Sequence, residues 1–339
     1  MKLDKLPIEI IYTIYEFTIF VPKNNKQLYD AIDIWFANYN NVYSTVLEKL
    51  GPMSLWDTKN ITDMSYLFSM ELKSAVYNSN DKRIFTIKRK RWIETMETSA
   101  GHSRANNDTW IIHSNNDKRE RIRYYENTVN NFNEDISNWN VSNVTNMEYM
   151  FENAKYFNQN ISKWNVSNVK NMNWMFLNAE NFNQPIGNWK VSSVKSMTGM
   201  FSGAKNFNQE IGQKINKCHG WDMKNVKNTS YMFHKAFIFN KYIGDWNVTN
   251  VEDMHSMFDQ AHCFNSDIRK WDVSKVKDIS FMLSCAQKFQ HVLDCWKLFG
   301  LPYDEYGNID KKSYFGLVFY NHKNTTCSIL GDALKLRMK

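Results

Sequence analysis

The residues best equipped for chemistry are eight histidines and five cysteines. The histidines (His102, His113, His219, His234, His255, His262, His291 and His322) are scattered. They form no His-Glu-x-x-His pair, and none sits one helical turn from a carboxylate in a metal-binding set. Two Cys-His neighbours, Cys218-His219 and His262-Cys263, suggest a thiolate or zinc ligand, but both fall where the surrounding pattern varies. Cys218, Cys263, Cys285, Cys295 and Cys327 are odd in number and lack Cys-x-x-Cys spacing, as expected of free thiols in a reducing compartment. Asp304-Glu-Tyr-Gly-Asn-Ile-Asp310 lacks the alternating acidic positions of a calcium loop. No Gly-x-Ser-x-Gly, P-loop or dinucleotide fingerprint occurs, and 12 glycines leave little from which to build a phosphate cradle. The expectation is a non-enzymatic chain without metal or cofactor.

What would position any functional surface is a repeat. Trp139, Trp164 and Trp189 stand 25 residues apart, as do Trp221, Trp246, Trp271 and Trp296. One lengthened loop between Ile211 and Trp221 separates the two series and keeps the register. Counting from each Trp, apolar residues recur at +2, +5, +8, +12, +15 and +18; in the second unit these are Val166, Val169, Met172, Phe176, Ala179 and Phe182. Thr229 is the one polar residue in these columns. Six aligned columns make a tandem array, and one unit cannot bury enough apolar surface to offset its own ordering, so the units must stack. Phe157 to Ile161 suits a short strand, and 171–179 has the spacing of a brief helix. The expected fold is an α/β solenoid of leucine-rich-repeat-like coils, each a short parallel strand plus a short helix, with an α-helical N-terminal cap.

These residues closely resemble the BspA-like, or DUF285, repeat pattern W-[ND]-V-S-x-V-x-x-M-x-x-M-F-x-x-A-x-x-F-N-x-x-I, fully over 127–298 and in part over 54–68. Relatives of this type include bacterial surface proteins and proteins of protists and giant viruses. The Asn-, Lys- and Ile-rich composition and the absence of a recognisable leader fit the latter group.

The flanking segments differ in kind. Leu6-Pro7-Ile8-Glu9-Ile10 opens a helix, with Pro7 in the first turn, Glu9 near its positive end, and Ile10, Ile14 and Phe17 on an apolar stripe. A second amphipathic stretch runs from about Lys26 to Leu50. Leu6, Pro7, Glu9 and Ile10 resemble the start of an F-box, which implies that Leu6, Pro7, Glu9, Ile10, Ile14 and Phe17 contact the ubiquitin-ligase adaptor Skp1. An ordinary helical cap on the array is the competing reading. The domain reading is therefore a helical module over 1–50, a partial repeat over 51–69, a basic insertion over 70–127, the array over 128–298 and a C-terminal cap over 299–339.

The insertion carries KRIFTIKRKRW (82–92) and DKRERIR (117–123), whose basic and aromatic residues could meet nucleic acid. Its eight acidic residues favour a surface hairpin or helical lid instead. Overall charge is +7 from 42 basic and 35 acidic residues, a mild bias that names no partner. No window is long and apolar enough to span a membrane, and the N-terminus lacks a cleavage site, so a cytoplasmic or nuclear location is expected. The array then reads as a protein-interaction scaffold. Its expected partner face is Gln159, Asn160, Gln184, Gln209, Glu210, Lys241 and Tyr242, between the core columns. The function expected is an F-box-type adaptor that presents a substrate to a Skp1-cullin ligase, or else a viral or structural recognition protein without that link.

Overall fold

The computed structural model describes residues 19–37, 50–69, 130–212, 220–291, 293 and 296, together with the backbone of four short strands between 72 and 112. Leu6 to Phe17, the loop at 213–219 and the segment 297–339 lie outside the described residues.

Each 25-residue unit is a chain of tight turns. Amides three residues on donate to carbonyls at fixed places: Trp164 N to Ile161 O (3.1 Å), Val169 N to Val166 O (3.0 Å), Met175 N to Met172 O (3.3 Å), Ala179 N to Phe176 O (3.0 Å) and Phe182 N to Ala179 O (3.1 Å). A turn closed this way puts its first and last residues on one side, so apolar residues three apart all face inward. The same spacing underlies the helix expected over 171–179. That stretch is instead a run of turns, because Trp174 (φ 55°) and Asn178 (φ 56°) are left-handed and interrupt any helix.

Successive units lie in parallel register. Single-residue parallel bridges join Asp63, Asn146, Asn171, Ser196, Asn228, Asp253 and Asp278 in series. The expected strand at Phe157 to Ile161 forms no ladder; the pairing falls one turn after Trp, on Asn, Asp and Ser. Beyond each bridge, alternate amides point to the next unit: Met147, Tyr149, Phe151 and Asn153 donate to the carbonyls of Asn171, Asn173, Met175 and Leu177. Left-handed residues recur at +10 and +14, and this alternation aligns the donors in one direction along the stack.

The interior is built from columns of stacked rings. Phe151, Phe176, Phe201, Phe233 and Phe258 follow one another at 5.4–5.6 Å between centroids. Each lies about 4 Å from the Phe at +18 of its own unit, as Phe176 does from Phe182 (3.9 Å). The tryptophans form a third column, 6.5 Å from Trp164 to Trp189. From Trp139 to Trp296 each indole N–H in that column donates to a carbonyl of the preceding unit, for example Trp189 Nε1 to Ile161 O (3.1 Å) and Trp221 Nε1 to Ile186 O (3.0 Å), while Trp56 Nε1 donates to Leu50 O (2.9 Å). Burial of this column therefore leaves none of its indole donors unsatisfied. Buried Thr229 is reconciled with the Met column by donating its hydroxyl to Asp253 O (3.3 Å).

Helix α1 (Asn25–Ala37) lies over the first unit. Asn24 Oδ1 accepts from Gln27 N (3.0 Å), and Gln27 Oε1 accepts from Lys23 N (2.8 Å), which fixes the helix start. Its buried Trp35 and Phe36 meet Phe132 and Phe68 at 5.8 and 6.5 Å, and Tyr29 Oη donates to Ser65 O (2.7 Å). In the insertion, β1 (Leu72–Tyr77), β2 (Arg83–Ile87), β3 (His102–Ala105) and β4 (Thr109–Ile112) pair antiparallel in the order β1-β2-β4-β3. That sheet extends the expected hairpin to four strands, and no helix occurs among the described residues of the insertion.

Candidate functional site

Two surfaces of the stack carry recurring polar or aromatic groups. The first is the edge after Phe+18, where the expected partner residues lie. An asparagine ladder runs along it: Asn133, Asn158, Asn183, Asn208, Asn240 and Asn265 each accept, through Oδ1, the amide N–H of the matching residue one unit on, at 2.7–3.0 Å. Gln159, Gln184 and Gln209 belong to the same ladder, their amides donating to the carbonyls of Asn133, Asn158 and Asn183 at 2.7–2.9 Å. Asn160 turns back to accept from Ser162 N (3.0 Å). Glu210 and Lys241 pair at 3.2 Å across two units. The structure thus brings the seven residues onto one edge and employs most of them in joining units. Tyr242, 42% exposed, donates its hydroxyl to Asp245 Oδ1 (2.8 Å); partial burial and the carboxylates of Asp245 and Asp267 push its pKa up to about 12.

The second surface lies across the bridge row, at +7, +9, +10 and +13. Here stands a half-buried aromatic column that the core pattern does not include: Tyr66, Tyr149, Trp174, Tyr231 and Phe281, at +10. Tyr66 and Tyr149 stack at 4.8 Å, Tyr149 and Trp174 at 6.1 Å. Trp174 meets Tyr231 at 5.8 Å across the intervening Gly199, whose missing side chain makes room for the indole; a Cβ there would run into the ring. His255 bridges Tyr231 and Phe281 edge-on at 5.0 and 5.7 Å. Gly199 and Ser256 break the column in the sequence, which is why its residue types alone do not reveal it.

Titratable groups on this surface are arranged pairwise. His234 Nδ1 stands 3.0 Å from Asp259 Oδ2, and His255 Nδ1 lies 3.6 Å from Asp278 Oδ2. Burial opposes ionisation of Asp259, but His234, Ser284 and Gln260 together hold its carboxyl below the usual range. Asp278 is likewise lowered, with Ser280 and His255 outweighing burial. Glu152, buried, accepts from Ser69 Oγ (2.6 Å). Along the neighbouring column, Lys227 and Lys277 flank Glu252 at 3.3 and 2.6 Å, and their bonds hold its carboxyl low.

Of the cysteine-histidine pairs, Cys218-His219 lies outside the described residues. His262 stacks on Phe237 at 4.8 Å, and Cys263 and Cys285 are free thiols. Among the described residues no group of three or more His, Cys, Asp or Glu is placed to hold a metal ion. None of their helices is long and apolar enough to cross a membrane.

A family model described as "Mycoplasma protein of unknown function, DUF285" matches three successive stretches, 37–128, 120–217 and 213–301. No curated protein and no solved structure matches the chain.

Proposed function

The chain belongs to the DUF285 family, and from that premise we propose that it is a non-enzymatic protein-interaction scaffold, a solenoid whose coils carry partner contacts on their outer edges. The observation that carries this reading is the division of labour within each unit. One set of residues, repeated at fixed positions, makes the core and the joints between units, while the residues beside them vary and face outward. Such arrays extend by adding units and present long surfaces to other proteins.

The more specific form of the proposal is an F-box-type adaptor, with Leu6, Pro7, Glu9, Ile10, Ile14 and Phe17 recruiting Skp1 and the array selecting a substrate. The resemblance of Leu6-Pro7-Ile8-Glu9-Ile10 to an F-box supports it. Co-purification of the full chain with Skp1, lost in Leu6→Ala/Pro7→Ala, is the expected result; no Skp1 association at all overturns the ligase link. The packing of α1 on Phe68 and Phe132 favours a second reading, in which the N-terminal helices serve as a cap on a recognition protein of the viral or protist kind. That reading expects stable complexes through the array in chains that bind no Skp1. Nucleic acid is the least supported partner, since the basic insertion also holds eight acidic residues. If affinity for nucleic acid fell steeply with salt and vanished on deleting 82–123, the ranking would reverse.

A further inference from the structure

We infer that the corner carrying Phe237, Ile238, His262 and Cys263 is a docking patch for an acidic polypeptide segment with an apolar anchor, which deepens the scaffold reading and rests on it. In a tight turn closed by a bond three residues on, the two central residues stand outermost. Phe239 N donates to Ala236 O (3.1 Å) and Phe264 N to Ala261 O (3.0 Å), which places 237–238 and 262–263 at that outer position, +16 and +17. Three other units hold Glu180-Asn181, Lys205-Asn206 and Gln287-Lys288 there and close the same turn at 3.0–3.1 Å. The corner therefore folds without any apolar residue at these places.

Two consecutive units nevertheless depart together. Ile238 is 42% exposed, Cys263 is half-buried, and half-buried Phe237 stacks on His262 at 4.8 Å between centroids and 2° between planes. Backbone bonds tie the patch into one piece: Cys263 N donates to Phe237 O (3.0 Å) and Lys288 N to His262 O (3.1 Å). Apolar groups set side by side on a surface whose folding does not require them mark a contact with another protein.

Charge sets the sign of the occupant. On this side of the coil, from +13 to +21, the carboxylates are already engaged: Glu180 by Lys205 (3.0 Å), Glu210 by Lys241 (3.2 Å), Asp259 by His234 (3.0 Å) and Asp267 by Arg269 (2.8 Å). That leaves Lys235 and Lys288, both exposed and without an ion-pair partner among the described residues. Lys235 is two residues before Phe237, and Lys288 is joined to His262 through its backbone, so they stand on either side of the apolar groups. Further round the coil, exposed Lys170, Lys195, Lys227 and Lys277 at +6 add the same sign against Glu252, while Asp253 and Asp278 beside them are engaged by Asn228 and His255. Two free lysines are too few for other polyanions: a nucleic acid held by its phosphates uses about six to ten cationic contacts, and an anionic lipid surface a cluster of roughly four to eight. A polypeptide needs one buried anchor and carboxylates beside it, and this patch offers both partners for that pattern.

The test selects phage-displayed random peptides on the full chain and measures the most enriched one, synthesised with a dye, against variants. Phe237→Gln/Ile238→Asn installs the residue types that Gln287 and Asn206 already supply at these places, so the turn is kept and no charge is added. The patch predicts enriched peptides with a large apolar residue flanked by aspartate or glutamate. Their affinity falls about tenfold or more in Phe237→Gln/Ile238→Asn, whose unfolding stays cooperative. Lys235→Asn/Lys288→Asn, which leaves the apolar groups in place, should weaken the same peptide and reduce its salt dependence. No enrichment, enrichment of basic or uncharged peptides, or equal affinity in Phe237→Gln/Ile238→Asn overturns the proposal. Tighter binding of single-stranded DNA or phosphatidylserine vesicles overturns it as well, as does a dimer of the full chain that this variant dissociates, which would give the patch to a second copy. If the variant fails to unfold cooperatively, Ile238→Asn alone and the lysine pair decide by the same criteria. A partner protein that Phe237→Gln/Ile238→Asn still retains removes the patch and leaves the scaffold reading intact, whereas no retained partner for either chain overturns the scaffold reading itself.

Discussion

Gly199 shows how much one residue can decide. It sits at φ 58° beneath the Trp174 indole, so a methyl group would meet both an unfavourable backbone conformation and an occupied space. Gly199→Ala is expected to cost about 1–3 kcal/mol, read as a fall of several degrees in Tm and a change in the near-ultraviolet circular dichroism of Trp174. An unchanged Tm would mean that the indole does not rest there. Tyr242 offers a titration. Its folded pKa, about 12, lies above the ordinary value of 10, so the folded state holds the phenol proton more tightly. The stability it contributes is fully present below pH 10 and fades between pH 10 and 12. Absorbance titration of the chain against Tyr242→Phe should show one phenol ionising late. Asp267 works in the opposite sense. The Arg269 guanidinium, 2.8 and 2.9 Å away, holds its carboxyl far below the usual range, so its contribution is present above about pH 4 and declines in acid.

At the scale of the element, the unit is held by side-chain amides as much as by backbone. Asn183 Oδ1 receives both Asn208 N and Gln209 Nε2 at 2.9 Å. Asn183→Ala should cost about 1–3 kcal/mol by orphaning a backbone donor at the joint, and faster hydrogen exchange at Asn208 would locate the loss. The period, the core columns and the register across the long loop before Trp221 were all legible in the sequence, because burial demands apolar residues at every recurrence. Less legible were the turns at 171–179, since residues three apart face one side in a tight turn as they do in a helix, and only positive φ at Trp174 and Asn178 distinguishes the two. Gln159, Gln184 and Gln209, expected on the partner face, are engaged with the unit before them, which their place between the core columns does not reveal. The aromatic column is not legible in the sequence because Gly199 and Ser256 interrupt it.

Across the whole molecule, the stack depends on neighbours, each unit donating the same set of amides to the next. Deleting 165–189 removes one complete unit and rejoins Trp164 to Lys190 in register, so the shortened chain is expected to fold with a single cooperative transition at a modestly lower Tm. Deleting half as many residues should abolish that transition, because the tryptophan and phenylalanine columns would no longer align. The scaffold proposal makes one demand above all others: a partner protein must be held by the outer edges of the array. Hydrogen exchange measured on the full chain with and without its affinity-captured partner tests this most directly. The account predicts slowed exchange along the outer turns of successive units between 130 and 291, repeating with the 25-residue period. Capture of no stable partner, or protection confined to residues outside the array, would contradict it.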